Sequence, residues 1–154
     1  MNATYTNGTY SGATVRGASG LNIVLGLWLI ISPWVLGYSG LPWPTWNNVV
    51  CGILIALLAA ARVWSPAAGP GLSWTNAGIG AWLIISSFIW PYGPAAAAPP
   101  AGMGAAAPAA PAMAPAVQAA TNAHWNDIVV GAIVLILGAW SAMSGRTEPE
   151  ATTH

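Results

Sequence analysis

The stretch LNIVLGLWLIISPWVLGYSG, Leu21 to Gly40, is written twice in this chain. It returns as TNAGIGAWLIISSFIWPYGP, Thr75 to Pro94, with 8 of 20 positions identical. A second stretch, TWNNVVCGILIALLAAARVW at residues 45–64, matches HWNDIVVGAIVLILGAWSAM at residues 124–143 at 6 of 20 positions. Each copied stretch is about as long as one membrane-spanning helix. The repetition therefore predicts a tandem duplication of a two-helix membrane unit.

The composition independently indicates a membrane protein. Charged residues make up 4% of the chain and lysine is absent, whereas ordinary globular domains contain about 25% charged residues. A soluble protein this apolar could not cover its surface with polar groups, but a bilayer removes that requirement. The formal net charge is zero, which argues against nucleic acid as a partner. Membrane lipids are the expected surroundings.

Four stretches are long and apolar enough to cross a bilayer, at residues 21–38, 46–64, 74–92 and 125–143. In hydrocarbon the backbone must satisfy its own hydrogen bonds, so helices are expected. The predicted fold is all-α, a four-transmembrane-helix bundle of two parallel repeats related by a pseudo-twofold axis. Repeat 1 covers residues 20–64 and repeat 2 covers residues 74–143. Polar cytoplasmic tails at 1–19 and 144–154 and a cytoplasmic loop at 65–73 complete the chain.

The three basic side chains predict the orientation. Arg16, Arg62 and Arg146 all fall on one face when the chain crosses four times. The positive-inside rule makes that face cytoplasmic, so both termini are expected inside. Aromatic residues at the span ends are expected to form two interfacial belts. One belt comprises Trp34, Tyr38, Trp43, Trp46, Trp90, Tyr92 and Trp125, and the other comprises Trp64 and Trp74.

The connection between the third and fourth spans is the main difference between the repeats. It covers residues 93–123 and consists largely of alanine and proline, whereas its counterpart in repeat 1 covers residues 39–44. Repeated prolines interrupt a helix, so we expect an extended, polyproline-like external loop and not a fifth span. Its two candidate roles are a spacer and a segment that docks on a neighbouring subunit. The prolines are Pro94, Pro99, Pro100, Pro108, Pro111 and Pro115.

An asparagine followed by a glycine about one turn later recurs in all four spans. An asparagine at a helix start caps free backbone N–H groups, and a glycine lets a neighbouring helix approach closely. We therefore interpret these residues as packing devices at the helix starts. The pairs are Asn22 with Gly26, Asn47 with Gly52, Asn76 with Gly80, and Asn126 with Gly131.

Trp28 and Trp82 lie near the middle of their spans, outside the expected belts. A buried indole N–H needs a hydrogen-bond partner, and Ser32 and Ser86 follow four residues later on the same helix faces. One interpretation is a bulky core residue whose N–H group is bonded across the bundle. The other is an aromatic wall for a carotenoid, quinone or lipid tail.

The first copy contains the pattern N-x3-G-x-W-L-I-I-S-P-W, which ends in Ser32-Pro33-Trp34. A short loop and W-N-x4-G follow at Trp46, and a second W-N-x4-G begins at Trp125. With this pattern the chain resembles the Ser-Pro-Trp (SPW) repeat family of small prokaryotic membrane proteins. The second copy departs from the motif at Ser87 and Phe88. The resemblance implies a two-helix or four-helix unit in the plasma (inner) membrane of a bacterium, and it implies no catalytic residue.

Titratable side chains are few and form no catalytic constellation. His124 and Asp127 are three residues apart at the expected start of the fourth span, where a carboxylate suits a helix N-terminus. They lack a nucleophile and supply only two metal ligands. No catalytic residue and no metal site are therefore predicted. His124 joins Trp28 and Trp82 as a candidate contact for a cofactor. No ionisable residue is expected deep in a span, so an ion pathway is not expected.

Three functional hypotheses follow. The leading one is a non-enzymatic accessory or scaffolding subunit of a larger prokaryotic membrane complex, with other membrane proteins as partners. The alternative is a binding module for an apolar small molecule between the repeats, where the bound group would be a lipid, quinone or carotenoid. The third is a small transporter, which would need a continuous polar path through the bundle.

Overall fold

The computed structural model describes residues 6–65, 71–89 and 110–144, with side chains described from residue 16 in the first helix and from residue 114 in the last. These residues form four α-helices: α1 (Thr6–Val35), α2 (Pro42–Trp64), α3 (Gly71–Ile89) and α4 (Ala110–Ser144). Each helix contains a segment long and apolar enough to cross a membrane. The predicted all-α, four-helix membrane architecture is confirmed.

The helices pack most extensively within the two predicted repeats, α1 against α2 and α3 against α4. The α1–α4 and α2–α3 contacts then join the repeats, so the helices follow one another around the bundle and α1 lies diagonally opposite α3. Each repeat is therefore a helical hairpin, and two lateral seams hold the hairpins together.

Glycines bring the helices of each hairpin into backbone contact, as predicted. A Cβ atom on Gly26 would lie 2.6 Å from the carbonyl oxygen of Gly52, and one on Gly80 would lie 2.7 Å from that of Gly131. Such distances exclude any larger residue unless the backbone moves. Gly138, which the sequence analysis did not single out, adds a third such contact, since its Cβ would lie 2.7 Å from the amide nitrogen of Ala77.

The prediction that the four asparagines cap helix starts is wrong. Asn22 and Asn126 each lie sixteen residues after the first residue of their helices, and Asn47 and Asn76 each lie five residues after theirs. The helices continue beyond their apolar segments, because helical geometry does not require apolar side chains outside the hydrocarbon region. Asn22, Asn76 and Asn126 are buried within the bundle, and Asn47 is half-buried at the α2–α3 seam.

The last part of the predicted external loop is helical, so α4 starts earlier in the sequence than expected. Residues 110–123 belong to α4, and the tail residues 6–19 belong to α1. Pro111 lies in the first turn, where no intrahelical N–H bond is lost, and no proline follows Pro115 in α4. Alanine is the best helix former, and Ala120 and Ala123 pack on the loop between α1 and α2. Residues 93–109 of the predicted loop, with Trp90 and Tyr92, lie outside the described residues.

The interior is layered along the helix axes. An apolar layer occupies the middle and consists of Leu29, Cys51, Ile55, Leu83, Val130 and Val134. On the side of the α1–α2 loop lies an upper polar layer, formed by the buried residues Ser32, Tyr38, Asn48, Asn126 and Asp127. On the opposite side lies a lower polar layer, formed by the buried residues Ser19, Asn22, Arg62, Ser73, Asn76 and Ser141. The described interior therefore contains two polar layers separated by hydrocarbon.

Most of the aromatic residues expected at the interfaces are exposed on the bundle surface. They are Trp34, Trp43, Trp46, Trp64, Trp74 and Trp125. Tyr38 is the exception, because its side chain is completely buried. Its assignment to a belt is wrong, and its hydroxyl group lies in the upper polar layer instead.

Candidate functional site

A hydrogen-bonded bridge crosses the seam between α2 and α3. The indole N–H of Trp82 donates to Oδ1 of Asn47 at 3.0 Å, and Nδ2 of Asn47 donates to the Ser86 hydroxyl at 3.2 Å. Asn47 belongs to repeat 1, whereas Trp82 and Ser86 lie one turn apart on α3 of repeat 2. A single amide therefore satisfies two groups of the other repeat.

The same bridge recurs at the seam between α1 and α4. The indole N–H of Trp28 donates to Oδ1 of Asn126 at 2.9 Å, and Nδ2 of Asn126 donates to the Ser32 hydroxyl at 3.3 Å. The two bridges use residues that occupy equivalent positions in the two copies. The interpretation that the central tryptophans bond across the bundle is confirmed. Their partners are the asparagines of the W-N motif, which sequence reasoning had assigned to capping.

The Ser-Pro pair of the first copy has a local explanation. Pro33 lies inside α1, and because proline lacks an N–H it leaves the Leu29 carbonyl without its usual donor. The Ser32 hydroxyl donates to that carbonyl at 3.1 Å. The helix ends at Val35, and the Pro33 carbonyl then accepts the N–H groups of Tyr38 and Ser39 at 2.9 and 3.0 Å. Serine and proline together therefore end α1 without stranding a backbone group in the apolar region.

The loop that follows α1 inserts Tyr38 into the bundle. Gly37 adopts a positive φ of 76°, a conformation that favours glycine, and the chain then turns inward. The Tyr38 hydroxyl accepts from Nδ2 of Asn48 at 2.8 Å and from Nδ2 of Asn126 at 3.2 Å. It lies 2.5 Å from the Ser32 hydroxyl. Tyr38 thereby links α1, α2 and α4.

Burial raises the pKa of Tyr38 to about 12. The hydrogen bonds with Ser32 and Asn48 act in the opposite direction and lower the pKa, whereas a negative charge on Asp127 raises it. The hydroxyl therefore keeps its proton at physiological pH. Since it accepts two amide N–H groups, its proton is donated to Ser32, whose own proton goes to the Leu29 carbonyl. The upper polar layer is thus an ordered chain of donors and acceptors.

Asp127 is buried inside the bundle, in the upper polar layer, and the sequence analysis did not predict this burial. Its side chain is completely buried, and it lies seventeen residues from each end of α4. The proposed interaction with the helix N-terminus is therefore wrong, because α4 begins at Ala110. Asn48 occupies the equivalent position in repeat 1 and is also completely buried. The two copies therefore place an amide and a carboxyl at the same level.

His124 lies three residues before Asp127 on α4 and contacts the end of α3. Its Nδ1 atom is 3.1 Å from the carbonyl oxygen of Ser87, and its ring meets Phe88 and Trp125 edge to face at 5.3 and 6.1 Å. His124 thus packs against the end of α3. Trp28 and Trp82 lie at the two seams, so the structure does not gather the three candidate cofactor contacts into one pocket.

A groove of about 680 Å³ opens on the lateral surface along the α2–α3 seam. Its walls include the tryptophans Trp43, Trp46 and Trp82, and its remaining lining consists of Asn47, Val50, Cys51, Leu54, Thr75, Gly78 and Ile79. The volume lies within the range of about 300–1,000 Å³ typical of ligand pockets. Asn47 contributes its amide and Thr75 its hydroxyl to a surface that is otherwise apolar.

The α1–α4 seam differs from the α2–α3 seam although both carry the same bridge. Trp28 packs against the apolar layer and is partly buried, whereas Trp82 is 43% exposed. The α1–α4 helices also make the more extensive contact of the two pairs. At the α1–α4 seam the tryptophan therefore packs on the apolar layer, whereas at the α2–α3 seam it lines a groove.

The lower polar layer was not anticipated from the sequence. Asn22 and Asn76 occupy equivalent positions, and the Oδ1 atoms of both are buried without a hydrogen-bond partner. The Ser73 and Ser141 hydroxyls are 3.0 Å apart. Arg62, which the sequence analysis used only to assign orientation, is buried at the end of α2. In the described part of the chain no three His, Cys, Asp or Glu side chains are grouped to hold a metal ion.

Comparison with known proteins identifies one family. The family described as "SPW repeat domain" matches residues 16–110, which is more than half of the chain. The match covers α1 from Arg16 onward and all of α2 and α3, and it ends at the first residue of α4. A search of curated proteins and a search of solved structures each find no match.

Proposed function

This chain belongs to the SPW repeat family, and from that premise we propose that it is a non-catalytic accessory or scaffolding subunit of a larger membrane complex. The proposal places it in the inner membrane of a prokaryote, with both termini in the cytoplasm, as the three arginines favour. The residues that both copies keep are used to join helices to each other. Partner contacts are then expected where the two seams differ.

The groove at the α2–α3 seam is the observation that supports this proposal. Large aromatic residues are enriched at protein interfaces, and three tryptophans line this groove. Without a hydrophobic driving force in the bilayer, helices associate through close packing and hydrogen bonds. A recess with an amide in its wall offers both to a transmembrane helix of a neighbouring subunit.

The same groove supports the second candidate function, which is binding of an apolar small molecule such as a quinone, carotenoid or lipid. The volume of about 680 Å³ suits a ligand of that size. Asn47 would then orient a polar group of the ligand, since its amide already faces the groove beside Trp82. The third candidate, a small transporter, gains no support from an interior whose polar layers are separated by six apolar residues.

One pair of variants tests both candidates. Gly78 lines the groove, and a Cβ atom added there meets nothing within 4 Å, so Gly78→Leu is expected to fill the groove without disturbing the bundle. Gly20→Leu is the matched control, because a Cβ atom at Gly20 also meets open space and Gly20 is not part of the groove. Each tagged protein would be purified in a mild detergent, followed by mass spectrometry of the protein and of an organic extract.

A subunit role predicts that the unmodified chain and Gly20→Leu retain a membrane protein in fixed stoichiometry and that Gly78→Leu loses it. A ligand-binding role predicts the same pattern for one apolar compound in the extract. Purification of the unmodified chain alone, with only bulk lipid in its extract, would contradict both candidates.

A further inference from the structure

The lower polar layer contains one short pattern that both copies share. Ser19 and Asn22 form the pattern S-x-x-N in α1, and Ser73 and Asn76 form it at the equivalent positions of α3. All four residues are buried. We propose that this layer is a water-binding site, in which internal water molecules donate hydrogen bonds to Oδ1 of Asn22 and to Oδ1 of Asn76. The site is independent of the subunit role.

The two amide oxygens are the first argument. Asn22 and Asn76 are 2% and 3% exposed, and among the described residues neither Oδ1 atom has a hydrogen-bond donor. A buried acceptor without a donor is costly, and buried water commonly supplies the hydrogen bonds that such groups need. The asparagines of the two bridges differ in this respect, because Oδ1 of Asn47 and Oδ1 of Asn126 each accept an indole N–H.

The placement of the two amides is the second argument. Asn22 lies seven residues before Leu29, and Asn76 lies seven residues before Leu83. Seven residues make almost two full helical turns, so each asparagine lies on the same helix face as its leucine. Both leucines are completely buried and pack in the one apolar layer. Both amides are therefore directed toward the bundle interior, about 10 Å below that layer.

The neighbouring hydroxyls supply further polar partners but do not satisfy the amide oxygens. The Ser73 hydroxyl is bonded to that of Ser141 at 3.0 Å, and a buried water needs about two to four polar partners. Arg62, Ser73 and Ser141 lie two or three residues from the ends of their helices. The layer is therefore close to the end of the bundle, from which water can enter.

Water fits this layer better than a metal ion does. Hard cations are bound mainly through carboxylates and other oxygen ligands, and none of the residues that form the layer is acidic. Arg62 belongs to the layer, and its guanidinium group stays positively charged, which disfavours a second cation. Water is neutral and donates hydrogen bonds, which is what two amide oxygens require.

Water-edited solid-state NMR of the full chain in lipid bilayers tests the site. Polarisation would be transferred from water protons to the side-chain carbons of 13C-labelled asparagine and leucine. The signal is expected to build up several-fold faster at Asn22 and Asn76 than at Asn126, a matched control whose amide oxygen is bonded within the protein. Leu29 and Leu83, on the same helix faces in the apolar layer, should show the slowest build-up.

A build-up at either Asn22 or Asn76 that is as slow as that at Asn126 would overturn the proposal. The spectra should not change when sodium and potassium salts are replaced by choline chloride. Side-chain carbonyl shifts that follow the metal ion would indicate a cation in place of water and would also overturn the proposal. Because every signal is read in the unmodified chain, no outcome depends on whether a variant folds.

Discussion

The two seams between the hairpins carry the same hydrogen bonds but differ in how their tryptophans are packed. Trp28 with Asn126 and Trp82 with Asn47 form matching bridges of 2.9 and 3.0 Å. At one seam the tryptophan packs against the apolar layer, and at the other it lines a groove of about 680 Å³. The bridge therefore joins the repeats at both seams, whereas the packing around its tryptophan differs between them.

The interiors of the two repeats diverge in the same way. At three equivalent and buried positions repeat 1 has Asn48, Ala59 and Arg62, whereas repeat 2 has Asp127, Gly138 and Ser141. Gly138 lies in close contact with the backbone of α3, where a Cβ atom would not fit. The equivalent residue in repeat 1, Ala59, carries a Cβ atom. The remaining two differences place a buried cation in one repeat and a buried carboxyl in the other, in different polar layers.

The glycine contacts should be the most sensitive feature of both repeats. Gly26→Val and Gly80→Val each place a side chain against backbone atoms at 2.6–2.8 Å. Overpacking costs about 1–3 kcal/mol and occasionally more, and we expect a loss near the upper end of that range. Equilibrium unfolding in a membrane mimetic should show comparable losses for both variants. Gly20→Val, in open space, should lose far less. A large loss in only one repeat would break the equivalence of the two hairpins.

The bridging asparagines should rank next and should differ from each other. Asn126→Leu removes the partner of Trp28 and also a donor to Tyr38, so we expect a loss of about 2 kcal/mol. Asn47→Leu removes the partner of Trp82 and Ser86 and the acceptor of a long, weak bond from the Cys51 thiol, but no contact with Tyr38, so we expect a loss of about 1 kcal/mol. Unfolding measured through tryptophan fluorescence would compare them. Equal losses would mean that the Tyr38 contact contributes little.

Tyr38→Phe should cost about 1 kcal/mol, because it leaves two amide donors in the upper polar layer without their acceptor. The variant should also change the pH dependence. The pKa of Tyr38 rises from 10.0 to about 12 in the folded chain, so the unfolded chain releases this proton first as the pH increases. The free energy of unfolding should therefore fall between pH 10 and about 12 in the unmodified protein, and the variant should lack this contribution.

Gly78→Leu should have the smallest effect on stability, within about 0.5 kcal/mol, as for other substitutions that touch nothing. Its effect should appear instead in what the groove holds. A large destabilisation would show that the α2–α3 seam is more tightly filled than the α1–α4 seam, which would reverse the comparison between them.

The apolar segments and the duplication were enough to predict four helices and the close glycine contacts, because both follow from local pattern. The role of the asparagines was not predictable, since nothing in the W-N motif indicates that its amide reaches Trp28 or Trp82 on the other repeat. Tyr38 was misassigned for a related reason: the turn at Gly37 that directs it inward is a property of the folded loop. The burial of Asp127 was not predicted, because the sequence analysis placed Asp127 at the start of the fourth span. The alanine-rich segment before it is in fact helical from Ala110.

A pair of double-mutant cycles measures whether the two bridges are energetically equivalent. Trp28→Phe and Trp82→Phe remove only the indole N–H group and part of the ring, and each would be combined with Asn126→Leu or Asn47→Leu respectively. We predict that both pairs show coupling of about 0.6–1.7 kcal/mol, the scale of hydrogen bonds between membrane helices. Coupling in one pair only, or in neither, would contradict the account of two matching bridges that join the repeats.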